Sequence, residues 1–153
     1  MANTYTQIYI HLVFAVQSRD ALIRPYFKEI LHKYISGILK NQKQKLLAIN
    51  SMPDHIYIFF GMNPDIRLSY LVRDIKKDSS TYINEKKLSK YRFNWQEGYG
   101  AFSYSRSQRD SVIKYIIYQE KHHKKESFRS EYVNFLKKFD IAYKDKYVFT
   151  FFD

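Results

Sequence analysis

The chain has 153 residues, a length that predicts a single domain with one hydrophobic core over residues 1–153. It contains no cysteine, which excludes disulfides and thiolate metal sites. With no signal-peptide pattern and no apolar run that could cross a membrane, we expect a cytoplasmic protein. The formal net charge of +11 favours a polyanionic partner, of which nucleic acid is the commonest.

The first part of the chain predicts a strand, a helix and two further strands. Residues 5–16 alternate between apolar and polar side chains, as a half-buried strand does. Residues 24–42 repeat apolar positions at helical spacing, which predicts a helix. Residues 45–50 and 55–60 predict the second and third strands, with a Pro-Asp pair between them.

The next segment completes a recognisable order of elements. A turn at residues 63–65 leads to a predicted helix over 66–84, and residues 99–105 predict a fourth strand. The order β-α-β-β-α-β is that of a ferredoxin-like, RRM-like fold of the α+β class. Such a sheet carries its helices on one face. It leaves the other face for a ligand, a partner sheet or additional helices.

Two C-terminal helices and a tail follow this unit. Ser107 is the predicted cap of a helix over 108–124, and Ser127 is the predicted cap of a helix over 128–138. Four aliphatic residues of the first helix fall on one arc and are predicted to face the core: Val112, Ile113, Ile116 and Ile117. The tail at 147–152 is apolar enough to dock or to form a short strand.

Four side chains on the third strand and the first C-terminal helix are candidates for chemistry. His55 and Tyr57 share one face of the strand, about 7 Å apart, so they can converge on one ion. Tyr115 and Gln119 lie one helical turn apart at the border of core and solvent, where a nucleophile is held but stays reachable. Each pair also has a plainer interpretation, as a hydrogen-bonded strand histidine and as amphipathic boundary residues.

Basic residues cluster in two places. Arg73, Lys76 and Lys77 lie on the second predicted helix, and Lys121 begins a basic run over 121–125. These residues are candidates for binding a phosphate backbone. A solvated helix face, and the stabilising effect of cations at a helix C-terminus, would explain the same pattern.

Five motifs, taken in order over nearly the whole chain, resemble the IS200/IS605-type single-tyrosine transposases. This HUH-like family includes the repeat-associated tyrosine transposases. The motifs are residues 5–14 (YTQIYIHLVF), 52–57 (MPDHIY), 75–80 (IKKDSS), 95–103 (WQEGYGAFS) and 115–123 (YIIYQEKHH).

The resemblance implies an enzyme of DNA transposition. Such an enzyme is a metal-dependent single-strand DNA endonuclease and strand transferase that uses Mg²⁺ or Mn²⁺. Its tyrosine attacks a phosphate to give a 5′-phosphotyrosine and a free 3′-hydroxyl, and a second transfer rejoins strands without ATP. Its partners are single-stranded DNA with a hairpin and a second copy of itself. In the homodimer, the tyrosine helix of one subunit completes the metal site of the other.

Carried over residue by residue, Tyr115 matches the nucleophile and Gln119 matches the metal ligand on the helix. His55 matches the first histidine of the His-hydrophobic-His motif, but Tyr57 stands at the position of the second. Three interpretations follow. Tyr57 still ligates the metal through its oxygen, or water fills the gap, or the protein is a catalytically impaired member that binds hairpin DNA or RNA as a dimer.

A binding module is the alternative from a different functional class. Domains of the same fold class bind RNA by stacking bases on aromatic residues of an open sheet. Here Tyr9, Tyr57 and Phe59 are the residues that could serve in that way. Such a module would need no metal and would form no covalent adduct.

Overall fold

A computed structural model describes residues 3–123 and 126–152 of the chain. Four strands form one antiparallel sheet in the spatial order β2-β3-β1-β4. The strands are β1 (Tyr9–Ala15), β2 (Lys45–Met52), β3 (His55–Gly61) and β4 (Gly100–Tyr104). The predicted α+β class and the predicted order of elements along the chain, β-α-β-β-α-β, are confirmed.

The helices divide between the two faces of this sheet. Helices α1 (Pro25–Asn41) and α2 (Leu68–Glu85) cover one face. Helices α3 (Arg109–Ile117), α4 (Gln119–His123) and α5 (Phe128–Lys138) cover the other. Within the described ranges, no helix combines the length and the apolar character that a membrane span requires.

Each face takes alternate residues of the central strands, because successive side chains point to opposite sides of a sheet. The face under α1 and α2 consists of Leu12, Phe14, Ile56, Ile58 and Phe60, and we call it the aliphatic face after its leucine and isoleucines. The site face, under α3 to α5, consists of His11, Val13, His55, Tyr57 and Phe59.

The second face of the sheet is therefore covered by additional helices, one of the three possibilities that the sequence left open. Tyr57 and Phe59 are fully buried, and Tyr9 is 9% exposed. These rings cannot stack on bases in this arrangement. The alternative of a module that stacks bases on these rings needs them exposed, and it is contradicted by their burial.

The prediction of one continuous helix over 108–124 is wrong, because the helix breaks at Tyr118. The side-chain amide of Asn50 on β2 donates to the carbonyls of Ile116 at 2.9 Å and Ile117 at 3.3 Å. It satisfies carbonyl groups that a continuous helix would have bonded four residues further on. Ile117 then lies outside the core, 53% exposed, contrary to its predicted position.

The two predicted helix caps have different outcomes. Ser105, rather than Ser107, caps the segment that leads into α3, in a capping box with Gln108. Ser127 caps α5 as predicted, since its hydroxyl accepts from the backbone N–H of Ser130 at 3.2 Å.

The C-terminal tail docks, as one of its two predicted possibilities. Phe149 is buried, with its ring 4.8 Å from that of Tyr132 and 6.1 Å from that of Phe128. Helix α5 itself packs closely on β4. A Cβ at Gly100 would lie 2.6 Å from the Tyr132 hydroxyl, so a larger residue at this position would displace the Tyr132 ring.

Candidate active site

His55 begins β3 and is fully buried. Its Nδ1 lies 2.7 Å from Oδ1 of Asp54, so Nδ1 carries the hydrogen and the lone pair is on Nε2. Burial lowers the pKa of His55, against the raising effect of the Asp54 hydrogen bond and charge, and the ring stays neutral. A neutral imidazole oriented by a carboxylate is the usual arrangement of a histidine metal ligand.

Gln119 is the first residue of α4 and is also fully buried. Its Nε2 donates to Nε2 of His55 at 2.6 Å. Its Oε1 has no hydrogen-bond partner among the described residues. An orphaned amide oxygen beside an imidazole lone pair fits a metal ion, because a half-turn of the amide would direct both donor atoms at one cation.

These two side chains do not make a complete ligand set. In the part of the chain that the structure describes, no group of three or more His, Cys, Asp or Glu residues could hold a metal ion. An ion at this place would therefore rely on the Gln119 amide together with the groups around it.

Two tyrosines meet one carboxylate beside His55. The hydroxyl of Tyr57 donates to Oε1 of Glu131, and the hydroxyl of Tyr115 donates to Oε2 of the same residue. The two phenol rings lie 6.4 Å apart. Burial, and then the charge and hydrogen bond of Glu131, hold the pKa of Tyr57 well above its usual value, so this phenol stays protonated.

Glu131 is 3% exposed, and burial raises its pKa to about 7. The hydrogen bond from Tyr57 lowers that pKa, and the charge of Asp54 raises it. A carboxyl in such a position is a functional candidate, since perturbed groups concentrate in active sites.

Aromatic rings of α5 enclose the site. Phe128 stacks on His55 with centroids 3.8 Å apart, and Phe135 meets His11 edge-on at 5.5 Å. His11 is buried, with no hydrogen-bond partner for either ring nitrogen among the described residues. Burial, and to a smaller extent the charge of His55, lowers the pKa of His11 to about 3.

A cleft opens beside the predicted nucleophile. Tyr115 is half-buried, so it is held by packing and still reachable from this side. A lysine and several hydrogen-bonding side chains line the cleft. Its polar lining residues are His11, Tyr104, Gln108, Ser111, Tyr115 and Lys138.

The structure brings together the four side chains that the sequence singled out for chemistry, His55, Tyr57, Tyr115 and Gln119. The break after α3, and not a continuous helical stripe, directs Gln119 towards His55. Sequence reasoning missed Glu131. The available signal was a carboxylate on an apolar helix stripe, three residues after Phe128.

Three of the four cations predicted to bind DNA are exposed. Arg73 and Lys77 lie on the outer side of α2, and Lys121 lies on α4. The guanidinium of Arg73 sits 4.6 Å from the ring centre of Tyr70. Of the basic run over 121–125, the side chains at 122–125 lie outside the described residues.

Lys76 has a structural contact. Its Nζ donates to the carbonyls of Gln96 at 2.8 Å and Gly98 at 2.5 Å, holding the loop before β4 against α2. Burial lowers the pKa of Lys76 to about 8, against the raising effect of Glu97. Contact of Lys76 with DNA stays a prediction.

The family of the chain follows from its sequence. The family model described as "Transposase IS200 like" matches residues 4–119. The chain therefore belongs to the IS200-like transposases. The matched segment contains His55, Tyr57, Tyr115 and Gln119, whereas α5 lies beyond it.

Solved transposase structures share the fold. A candidate transposase from Deinococcus radiodurans R1 matches with a TM-score of 0.62 and 19% identity, over 78% of this chain and 95% of that chain. A REP-associated tyrosine transposase bound to a REP hairpin matches with a TM-score of 0.60 and 16% identity, over 80% of this chain and 73% of that chain. Identities this low show the common fold alone. No curated protein matches the sequence.

Proposed function

We propose that this transposase cuts and rejoins single-stranded DNA through a 5′-phosphotyrosine at Tyr115, recognises hairpin DNA, uses Mg²⁺ or Mn²⁺ and acts in the cytoplasm. One observation carries the proposal: a single chain gathers Tyr115, Gln119 and His55 on one face of its sheet. The hairpin preference is supported by the neighbouring transposase that was solved with a REP hairpin.

Tyr115 supplies the nucleophilic oxygen. A bond forms between this oxygen and phosphorus while the bond from phosphorus to the 3′-oxygen breaks, and the 3′-oxygen takes a proton from water. A free phenol has a pKa of about 10, so it needs a group that receives its proton. Tyr115 already donates its hydroxyl hydrogen to Glu131. Rejoining is the reverse, with a 3′-hydroxyl displacing Tyr115. One phosphodiester replaces another, so no ATP is required.

His55 and Gln119 would hold the metal, through Nε2 and Oε1 respectively, with Tyr57 as the predicted third ligand. A divalent ion there would polarise the phosphate and offset the charge that develops during transfer. Mn²⁺ accepts imidazole more readily than Mg²⁺ does. The hydroxyl of Tyr57 is bonded to Glu131 and stays protonated, which makes it a weak ligand.

The exposed cations Arg73, Lys77 and Lys121, together with Lys76, are the proposed contacts to the DNA backbone. Binding through phosphates releases counterions, so hairpin affinity should fall steeply with salt concentration. A slope of log affinity against log salt near zero would remove these residues from the interface.

We also propose a homodimer, as the family resemblance implies. The geometry supports sites that are each completed within one subunit, since Gln119 reaches His55 of its own chain. Mixing Tyr115→Phe and His55→Ala subunits tests this arrangement. Recovery of activity in the mixture would mean that the sites are shared between subunits, and no recovery would mean that they are not.

The decisive experiment is a covalent-adduct assay. The protein is incubated with single-stranded DNA from both flanks of its own gene and with Mn²⁺ or Mg²⁺, and a denaturation-resistant adduct is sought. Tyr115→Phe should abolish the adduct and leave hairpin binding nearly unchanged. Tyr118→Phe is the matched control, because Tyr118 is an exposed phenol three residues further on. An adduct that persists in Tyr115→Phe would overturn the assignment.

A second candidate function rests on the tyrosine at position 57. A family member that has lost a metal ligand could still bind hairpins as a dimer and block an active relative. Hairpin binding without an adduct, with the adduct restored by Tyr57→His, would identify this impaired state.

A further inference from the structure

We propose that Glu131 supplies the metal ligand that the second histidine of the motif would have given. The ligand set would then be His55, Gln119 and Glu131. Tyr57 would act as a positioning residue that holds the carboxylate in place. This inference rests on the metal-dependent function proposed above.

The register of α5 along β3 brings Glu131 next to Tyr57. Phe128 lies directly over His55, with the two rings parallel within 1° and 3.8 Å apart. Glu131 is one helical turn further along the same face, and it meets the hydroxyl of Tyr57, two residues along the strand from His55. The carboxylate therefore lies at the end of the Tyr57 side chain, next to the strand position from which the missing histidine would have pointed.

The length of the tyrosine explains the exchange. A phenol at position 57 extends further than an imidazole, and it ends on the carboxylate of Glu131. The substitution thus replaces a ligand on the strand with a hydrogen bond to a ligand on a helix. The rings of His55 and Tyr57 are 5.1 Å apart, so the tyrosine that holds Glu131 adjoins the histidine ligand.

The chemistry of the donors favours Glu131 over Tyr57 as a metal ligand. Mg²⁺ and Mn²⁺ favour oxygen ligands, and a carboxylate is a much better one than a neutral phenol. A carboxylate has about four acceptor positions, so it can accept from two phenols and also bind a cation. The orphaned Oε1 of Gln119 and the lone pair on Nε2 of His55 add an amide oxygen and a nitrogen.

The burial of Glu131 is consistent with a bound cation. A nearly fully buried carboxylate on the apolar side of a helix lowers stability unless its charge is compensated. A leucine there would avoid that cost. A cation shared with His55 and Gln119 would supply such compensation.

The test is Mn²⁺ binding to the full chain without DNA. Binding is measured as the loss of the electron paramagnetic resonance signal of free Mn²⁺. Glu131→Gln should weaken binding by at least about 10-fold, the smallest loss expected even for a group that only orients a ligand. His55→Ala should do the same. Glu120→Gln is the matched control for charge, because Glu120 is exposed and adjoins Gln119. Unchanged affinity in Glu131→Gln would overturn the proposal.

A rescue separates a ligand role from a merely structural one. If Glu131 replaces the missing histidine, Tyr57→His should restore the Mn²⁺ affinity that Glu131→Gln loses. A double variant as weak as Glu131→Gln alone would contradict the exchange. Glu131→Asp is the second variant, for use if Glu131→Gln folds poorly. It keeps the carboxylate, so it should bind Mn²⁺ more tightly than Glu131→Gln does.

The adduct assay distinguishes failure of the Glu131 proposal from failure of the proposed function. A metal-dependent adduct in the wild type, with normal Mn²⁺ binding by Glu131→Gln, would exclude Glu131 as a ligand and leave the proposed function intact. No Mn²⁺ binding and no adduct in the wild type would remove the proposed function as well.

Discussion

The two faces of the sheet are built from alternate residues of the same strands, yet they differ in chemistry. The aliphatic face of β3 presents Ile56, Ile58 and Phe60, whereas its site face presents His55, Tyr57 and Phe59. All six side chains are fully buried. Burial alone therefore does not decide which residues these positions hold.

The distribution of unsatisfied polar atoms sharpens this difference. In the described part of the chain, three buried side-chain atoms have no hydrogen-bond partner, and all belong to His11 or Gln119 on the site face. On the aliphatic face, Ser51 bonds to His32 and Ser79 bonds to Trp95. Unpaired buried polar atoms reduce stability, so their concentration on one face indicates that this face is kept for function.

The largest effect on stability is expected on the aliphatic face. Ile58→Ala leaves a cavity among fully buried side chains and should lower the free energy of unfolding by about 2–5 kcal/mol. Urea denaturation measures this loss. Ile117→Ala is the matched control. Ile117 is 53% exposed, and its replacement should change stability by less than about 0.5 kcal/mol. Equal losses would deny the difference in packing.

The sequence predicted most of this architecture, because the strands and the first two helices have strong periodicity. It failed where the cause lies far along the chain. The break at Tyr118 depends on Asn50, which bonds to Ile116 from 66 residues away. No local pattern in residues 108–124 contains that information, and the same break exposes Ile117.

The candidate site shows the same limit. His55, Tyr57, Tyr115 and Gln119 were found because they belong to local motifs that resemble a known family. Glu131 lies outside those motifs, and its contact with Tyr57 spans 74 residues. Only the docking of α5 on β3 brings the carboxylate to the tyrosines.

The next effect in size concerns pH and His11. The folded pKa of His11 is about 3, below the 6.5 usual for histidine, so at pH 5 the unfolded chain binds a proton that the folded chain does not. Stability is therefore lost as the pH falls from about 6.5 towards 3. His11→Phe removes this loss. Between pH 8 and pH 5, the difference in free energy of unfolding between the variant and the wild type should shift by about 2 kcal/mol in favour of the variant.

Urea denaturation of both proteins at several pH values measures the gain. Any constant effect of the larger ring shifts the whole difference profile and leaves its slope unchanged. The other histidines are present in both proteins, so their contributions cancel in the comparison. Parallel stability profiles would show that His11 is protonated in the folded chain at pH 5.

A smaller effect is expected from removing one hydroxyl on the site face. Tyr57→Phe keeps the ring but takes one hydrogen-bond donor from the buried carboxylate of Glu131. At pH 8, above the pKa of about 7 of Glu131, this should lower the free energy of unfolding by about 1.5 kcal/mol. The exposed Tyr118 provides the control, since Tyr118→Phe should leave the urea midpoint unchanged. A Tyr57→Phe variant as stable as the wild type would mean that this contact adds nothing.

The smallest effect tests how firmly α5 closes the site face. Ser127→Ala removes the hydroxyl that accepts from the N–H of Ser130, and should cost the helix about 1 kcal/mol. Hydrogen exchange should therefore speed up about five-fold at the amides of α5, while those of α1 keep their rates. Ser69→Ala, on the exposed side of α2, is the control.

Because Phe128 and Glu131 reach His55 and Tyr57 from the first turn of α5, this cap is coupled to the site. Acceleration spread equally over α1 and α5 would instead mean that the two faces open together.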